Sequence, residues 1–272
     1  MPYSAEISRK NPGCIMFLLD QSGSMAEPFG KQKNIRKADG AADAINSILR
    51  AIIFRCTKET GVRDYFEVSV IGYGAREGYV GPLLGEKEKF VKISWLYEHP
   101  LRIEEKIEET PKGEKVRVRL PIWFEPVAEN GTPMCAALQL AYNWIKEWIE
   151  KHPNSFPPIV FNITDGIATD GDPEPYGKKI MELATSDGNA LLFNCHISGE
   201  EAEPIIFPTN EEELPNDEYA RKLFRMSSEL PEPMIRLGDL RKGSKGFAFN
   251  ADLAALINFL DIGTRPALDQ LK

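Results

Sequence analysis

The chain has few of the residues that most directly advertise chemistry. Its 272 residues include four cysteines and three histidines. Cys14, Cys56, Cys135 and Cys195 are far apart, form no C-x-x-C pair and each lie in an apolar stretch, so they read as buried thiols. His99, His152 and His196 are equally scattered, which suggests neither a zinc cluster nor a Cys/His nucleophile pair. Long apolar runs are missing too. The longest, Cys14 to Leu19, ends in Asp20 and is too short to cross a bilayer, and no basic start followed by an apolar stretch reads as a signal peptide. The expectation is a cytoplasmic protein that engages no membrane. Basic residues are the minority, 33 Lys and Arg against 41 Asp and Glu, for a net charge of -8. That balance argues against nucleic acid, whose phosphates are bound by clustered Lys and Arg. Also absent are G-x-x-x-x-G-K-[ST], G-x-G-x-x-G after the first strand and G-x-S-x-G.

What is present is globular. Hydrophobic residues make up 42 % of the chain and charged residues 27 %, close to the soluble average and without repeats or low-complexity tracts. Cys14 to Asp20 (CIMFLLD) is a continuous apolar run bounded by Pro12-Gly13 and Ser-Gly, the mark of a strand buried on both faces of a parallel sheet. From Asn34 to Thr57 apolar residues recur every three or four positions, predicting an amphipathic helix. Phe66 to Tyr73 (FEVSVIGY) predicts the next strand. The alternation returns with a helix over Pro133 to Lys151, a strand over Ile159 to Thr164, a helix over Pro175 to Thr185 and a strand over Ala190 to Ile197. Gly246 to Phe249 predicts a short edge strand, and Leu253 to Leu260 a last helix that Pro266 should stop. Alternating βα units imply an α/β fold with a doubly wound, mostly parallel sheet flanked by helices, read as one domain over residues 1–272.

Two segments interrupt the pattern. Residues 76–128 read as a β-rich insertion, with a hairpin in which Leu101, Ile103, Ile107, Val116, Val118 and Leu120 form one apolar face and Glu104, Glu108, Arg117 and Arg119 the other, around a turn at Pro111-Lys112-Gly113. Residues 199–218 are acidic and Pro-interrupted, most simply a solvated loop, with a basic partner as the sharper alternative.

The residues that point to chemistry sit where the predicted strands end. Asp20 closes the first buried strand and continues as D-x-S-x-S through Ser22 and Ser24. Asp165 follows the strand IVFNIT, and Thr132 stands at the start of the helix from Pro133. In a doubly wound sheet this edge is where ligands bind. A hard divalent cation takes about six oxygens, and Mg²⁺ commonly keeps some waters. Asp20, Ser22, Ser24, Thr132 and Asp165 supply oxygens of that kind. Each residue also has a plain structural use: the serines can cap turns, Thr132 can cap a helix and Asp165-Gly166 is an ordinary turn. Jointly they point to a cation, because a carboxylate at the end of a buried run is costly without a partner. Asp170 and Asp172, in the Gly/Pro loop beyond, read as solvated.

D-x-S-x-S, a threonine on a second loop and an aspartate on a third resemble the metal-ion-dependent adhesion site of the von Willebrand A domains, in the family's chain order. The resemblance implies that Asp20, Ser22, Ser24, Thr132 and Asp165 bind Mg²⁺, or Mn²⁺ or Ca²⁺, in a non-enzymatic module whose metal takes an acidic side chain from a protein partner. Two carboxylates only balance a 2+ ion, so a further negative oxygen is still attracted. The segments LDQSGSM, FEPVAENGTPM and FNADLAALINFLDIGTRPA also resemble bacterial members associated with tellurium resistance, stress response and phage defence, which implies an adaptor or scaffold beside an operon-encoded kinase or phosphatase. The rival class is a Mg²⁺-dependent phosphoryl-transfer or phosphatase enzyme. Against it, an aspartyl-phosphate chemistry wants an acid two residues after the nucleophile, where this chain has Ser22, and no general base is evident.

Overall fold

In the computed structural model, which describes residues 2–30, 32–85, 87–109, 115–200 and 202–271, a central sheet carries helices on both faces. Strands β1 (Gly13–Asp20), β2 (Phe66–Tyr73), β3 (Val80–Pro82), β4 (Val91–Lys92), β5 (Arg102–Glu109), β6 (Lys115–Ile122), β7 (Ile159–Thr164), β8 (Leu191–Ile197), β9 (Ile205–Ile206) and β10 (Phe247–Ala251) are the main extended elements of the chain, β5 and β6 lying outside the central sheet. The principal helices are α1 (Lys37–Cys56), α2 (Ile93–Glu98), α3 (Met134–Lys151), α4 (Glu174–Glu182), α5 (Glu218–Arg225), α6 (Glu232–Gly238) and α7 (Leu253–Asp269). The sheet runs β9-β10-β8-β7-β1-β2-β3, with β4 also on β2. Strands β10, β8, β7, β1 and β2 are parallel, and β9, β3 and β4 add antiparallel edges.

All eight residues of β1 are buried, because helices cover both faces of the sheet and successive side chains point to opposite sides. Ile15, Phe17 and Leu19 enter the core formed with α1 and α7. Cys14, Met16 and Leu18 enter the one formed with α3, α4 and α5. Phe17 stacks on Phe161 with ring centroids 5.4 Å apart, and Phe161 meets Phe193 at 5.0 Å, so one aromatic row locks three neighbouring strands together. The chain leaves β1 toward β2 on one side and returns to β7 and β8 on the other. The topological switch therefore falls between β1 and β7, whose C-terminal ends open the crevice where such sheets bind ligands.

Several expectations are corrected. Helix α7 runs through Pro266 to Asp269; the proline removes one helical donor, but Leu256, Phe259, Leu260, Ala267 and Leu268 are buried along the same helix, and that packing holds it. The 199–218 stretch is more than a solvated loop: Ile205 and Ile206 form β9, and Asp217 caps α5 by accepting from the Tyr219 and Ala220 amides. Within 76–128, β3 and β4 extend the main sheet, α2 follows and only β5 and β6 form the hairpin. Its register also differs. Ile103 pairs with Pro121, Ile107 with Arg117 and Glu104 with Leu120, so apolar residues of one strand share a face with charged residues of the other. No buried face enforces another register: Ile103 and Ile107 are 46 % and 68 % exposed. The turn at Pro111-Lys112-Gly113 lies outside the described residues. All four cysteines are free and buried. Among the described residues no helix is long and apolar enough to cross a membrane.

Candidate metal centre

Asp20 is the last residue of β1 and is wholly buried. Its Oδ1 accepts the Ser22 amide at 2.8 Å and its Oδ2 accepts the Thr164 hydroxyl at 2.7 Å. Among the described residues no cationic side chain is paired with it, and burial pushes its carboxyl up to about 6, with Asp165 adding to the rise and the hydrogen bonds from Ser22 and Thr164 opposing it. From Ser22 the chain enters a short 3-10 turn, Gly23–Ala26. That turn brings the Ser22 and Ser24 hydroxyls to 3.2 Å, and Ser24 donates to Asp165 Oδ1 at 2.7 Å. Four of the five residues singled out in the sequence thus form one continuous polar chain. Thr132 borders the same space: a Cβ placed on Gly166 would lie 3.6 Å from the Thr132 hydroxyl and 3.7 Å from that of Ser24.

Backbone hydrogen bonds stitch these loops together. Gly23 N–H donates to Asn130 O at 2.9 Å and Glu129 N–H to Gln21 O at 2.7 Å, tying the first loop to the second. Thr169 N–H donates to Thr132 O at 2.9 Å, and Thr132 N–H to the Thr169 hydroxyl at 3.0 Å, tying the second to the third. The close approach depends on Gly74, whose φ is +110° and whose added Cβ would fall 2.5 Å from Gly131 O and 3.0 Å from Ser22 N. Only glycine fits there.

Thr132 is not spent on capping. The amides of Cys135 and Ala136, in the first turn of α3, are taken by Asp170 Oδ1 and Oδ2 at 3.0 and 2.9 Å. Asp170 is therefore a structural cap across loops, and Asp172 is an ion-pair partner of Lys222 at 3.1 Å; neither is merely solvated. Sequence reasoning also gave no role to Thr164 or to Tyr219, whose hydroxyl donates to Gly166 O. The most consequential omission is Lys37. Its ammonium lies 2.7 Å from Asp165 Oδ2 and 2.8 Å from Glu27 Oε2. The ammonium thus forms a close ion pair with the Asp165 oxygen that Ser24 does not engage. The only sequence signal was a lysine at the start of a helix, where cations are disfavoured.

The donor set is one of hard oxygens. Among the described residues no three His, Cys, Asp or Glu side chains cluster as metal ligands do, so a cation here relies on hydroxyls beside its two carboxylates. A buried carboxylate with no cationic partner among the described residues, a second already paired with an ammonium and hydroxyls between them fit a hard divalent ion.

No family model matches the chain, and no curated protein is significantly similar to it. Solved structures are similar in fold. The pilus adhesin SpaC from Lactobacillus rhamnosus GG superposes with a TM-score of 0.52 at 10 % identity, over 97 % of this chain and 31 % of that one. The vWF domain of the type V pili tip protein Mfa5 from Porphyromonas gingivalis gives a TM-score of 0.33 at 15 % identity, over 58 % of this chain and 38 % of that one. A longer Mfa5 structure with three N-terminal domains is covered over 20 % of its length, so the chain spans well under half of these relatives. At 10 % identity the SpaC superposition speaks to the fold alone.

Proposed function

We propose that the chain is a single von Willebrand A-type unit, with an insertion over 76–128 and an acidic stretch over 199–218, whose adhesion-type site binds a divalent cation and through it a protein partner. Mg²⁺ is the expected ion, with Mn²⁺ or Ca²⁺ as substitutes. Asp20, Ser22, Ser24, Thr132 and Asp165 hold it, and the cation supplies a positive centre for an incoming Asp or Glu of the partner. The observation that carries this reading is the hydrogen-bonded chain from Asp20, through the Ser22 amide and the Ser22 and Ser24 hydroxyls, to Asp165, at the switch point of the sheet. Thr164 holds the second oxygen of Asp20 in place, and the backbone stitching keeps the loops from collapsing when charge enters.

The role is binding rather than catalysis. Ser22 stands where an aspartyl-phosphate enzyme needs an acid. That the pilus adhesin SpaC is similar in fold is in keeping with an interaction module. An adaptor or scaffold role in bacterial stress response, tellurium resistance or phage defence, beside an operon-encoded kinase or phosphatase, rests on the sequence resemblance.

Titration with Mn²⁺ by calorimetry tests the site: wild type should bind one ion, and D20A and D165A none while remaining folded. Partners retained on immobilised protein should be lost with chelator. Partner capture that survives both chelation and D20A would contradict the proposal.

A further inference from the structure

Lys37 opens the twenty-residue helix α1, and its side chain is 5 % exposed. Both facts work against an ammonium, since burial strips its hydration and the helix N-terminus favours negative charge. Two carboxylates offset this, Asp165 at 2.7 Å and Glu27 at 2.8 Å from the ammonium. Its place is beside Asp165, where the ammonium faces the one oxygen that Ser24 does not engage. Glu27 differs from Asp165 in being an outer partner, 64 % exposed at the rim of a cleft of about 700 Å³ lined also by Lys33, His196 and Asp217. The lysine thus has a buried acceptor on one side and a solvated one on the other.

We propose that Lys37 is a built-in counter-cation for the metal centre: its ammonium neutralises Asp165 in the metal-free protein and withdraws toward Glu27 when a divalent cation takes that carboxylate over. This rests on reading the site as a cation site, and adds how its loading is regulated. A monovalent charge on a tether keeps the apo site folded and sets a threshold concentration for the ion, because each loading event separates an existing ion pair. The threshold is set by the split of the ammonium between its two carboxylates, so changes at Lys37 and Glu27 move it in opposite directions.

Mn²⁺ affinity measured by calorimetry at constant ionic strength, on the full chain, tests this. K37M should bind Mn²⁺ at least tenfold more tightly than wild type. E27Q, which leaves the ammonium to Asp165 among the two carboxylates it pairs with in the described residues, should bind several-fold more weakly. K33M removes a like charge from the lining of the same cleft, and should stay within about threefold of wild type. Equal affinity in K37M and wild type, or a K33M effect as large as that of K37M, overturns the role given to Lys37 and leaves the metal centre intact. Absence of Asp20-dependent Mn²⁺ binding in both wild type and K37M overturns the metal centre itself. If K37M does not fold, E27Q decides: affinity equal to or above wild type refutes the mechanism.

Discussion

Replacing Asp20 by asparagine removes a charge while keeping the side-chain shape, and the surroundings can accept the change. Oδ1 keeps the Ser22 amide. The Thr164 hydroxyl, which donates to Oδ2, can turn to Gly166 O at 3.1 Å and accept from the new amide instead. Burial moves the Asp20 carboxyl from 3.8 to about 6, which corresponds to about 3 kcal/mol of destabilisation in the fully ionised, metal-free protein. Some of this is lost to rearrangement, so D20N should stabilise the chain by about 1–3 kcal/mol in urea unfolding at pH 7.5 with EDTA. The sign with pH follows from the direction of the shift. A carboxyl raised in the fold has its stability in full below its unfolded value of 3.8 and loses it as pH climbs through about 6. The gap between D20N and wild type should therefore be small near pH 4 and widest above pH 7. Saturating Mg²⁺ should raise wild type and leave D20N unmoved. A D20N protein no more stable than wild type at pH 7.5 in EDTA, or a gap that does not grow with pH, would refute the claim that Asp20 is a strained, unpaired charge.

G74A tests the stitching of the loops. The added methyl meets two backbone atoms in a left-handed conformation, so unfolding free energy should fall by about 2–3 kcal/mol and Mn²⁺ affinity should fall with it; a silent substitution would show that the loops part easily. N46A probes how the insertion is anchored. Asn46 on α1 accepts the buried Trp123 amide at 3.0 Å and donates to Ala42 O at 2.9 Å. Orphaning that amide should cost about 1–3 kcal/mol by urea unfolding while Mn²⁺ binding persists, and loss of binding instead would mean that insertion and site are coupled.

The legible parts of the fold were those where one local signal sufficed. A continuous apolar run such as Cys14 to Leu19 has no stable place except a strand covered on both faces, and the stripe along α1 has none except against a sheet. The short helices α5 and α6 were missed because so few residues show little periodicity, and their burial is supplied by neighbours distant in sequence. The hairpin register was misread because alternation tells which residues share a face within one strand, whereas the offset between strands is set by the turn and by contacts the alternation does not contain.

The same division holds at the site. Residue order alone named Asp20, Ser22, Ser24, Thr132 and Asp165 as oxygens at the ends of strands and the mouth of a helix, since such ends must lie together along one edge of a doubly wound sheet. That Asp170 caps α3 and leaves Thr132 free, that Thr164 holds Asp20, and that Lys37 answers Asp165 were decided only in three dimensions. Hydrogen bonds and ion pairs act over a few ångströms, and the partners here are brought within that reach by packing, across separations of well over a hundred residues in the case of Lys37 and Asp165, that no local pattern records.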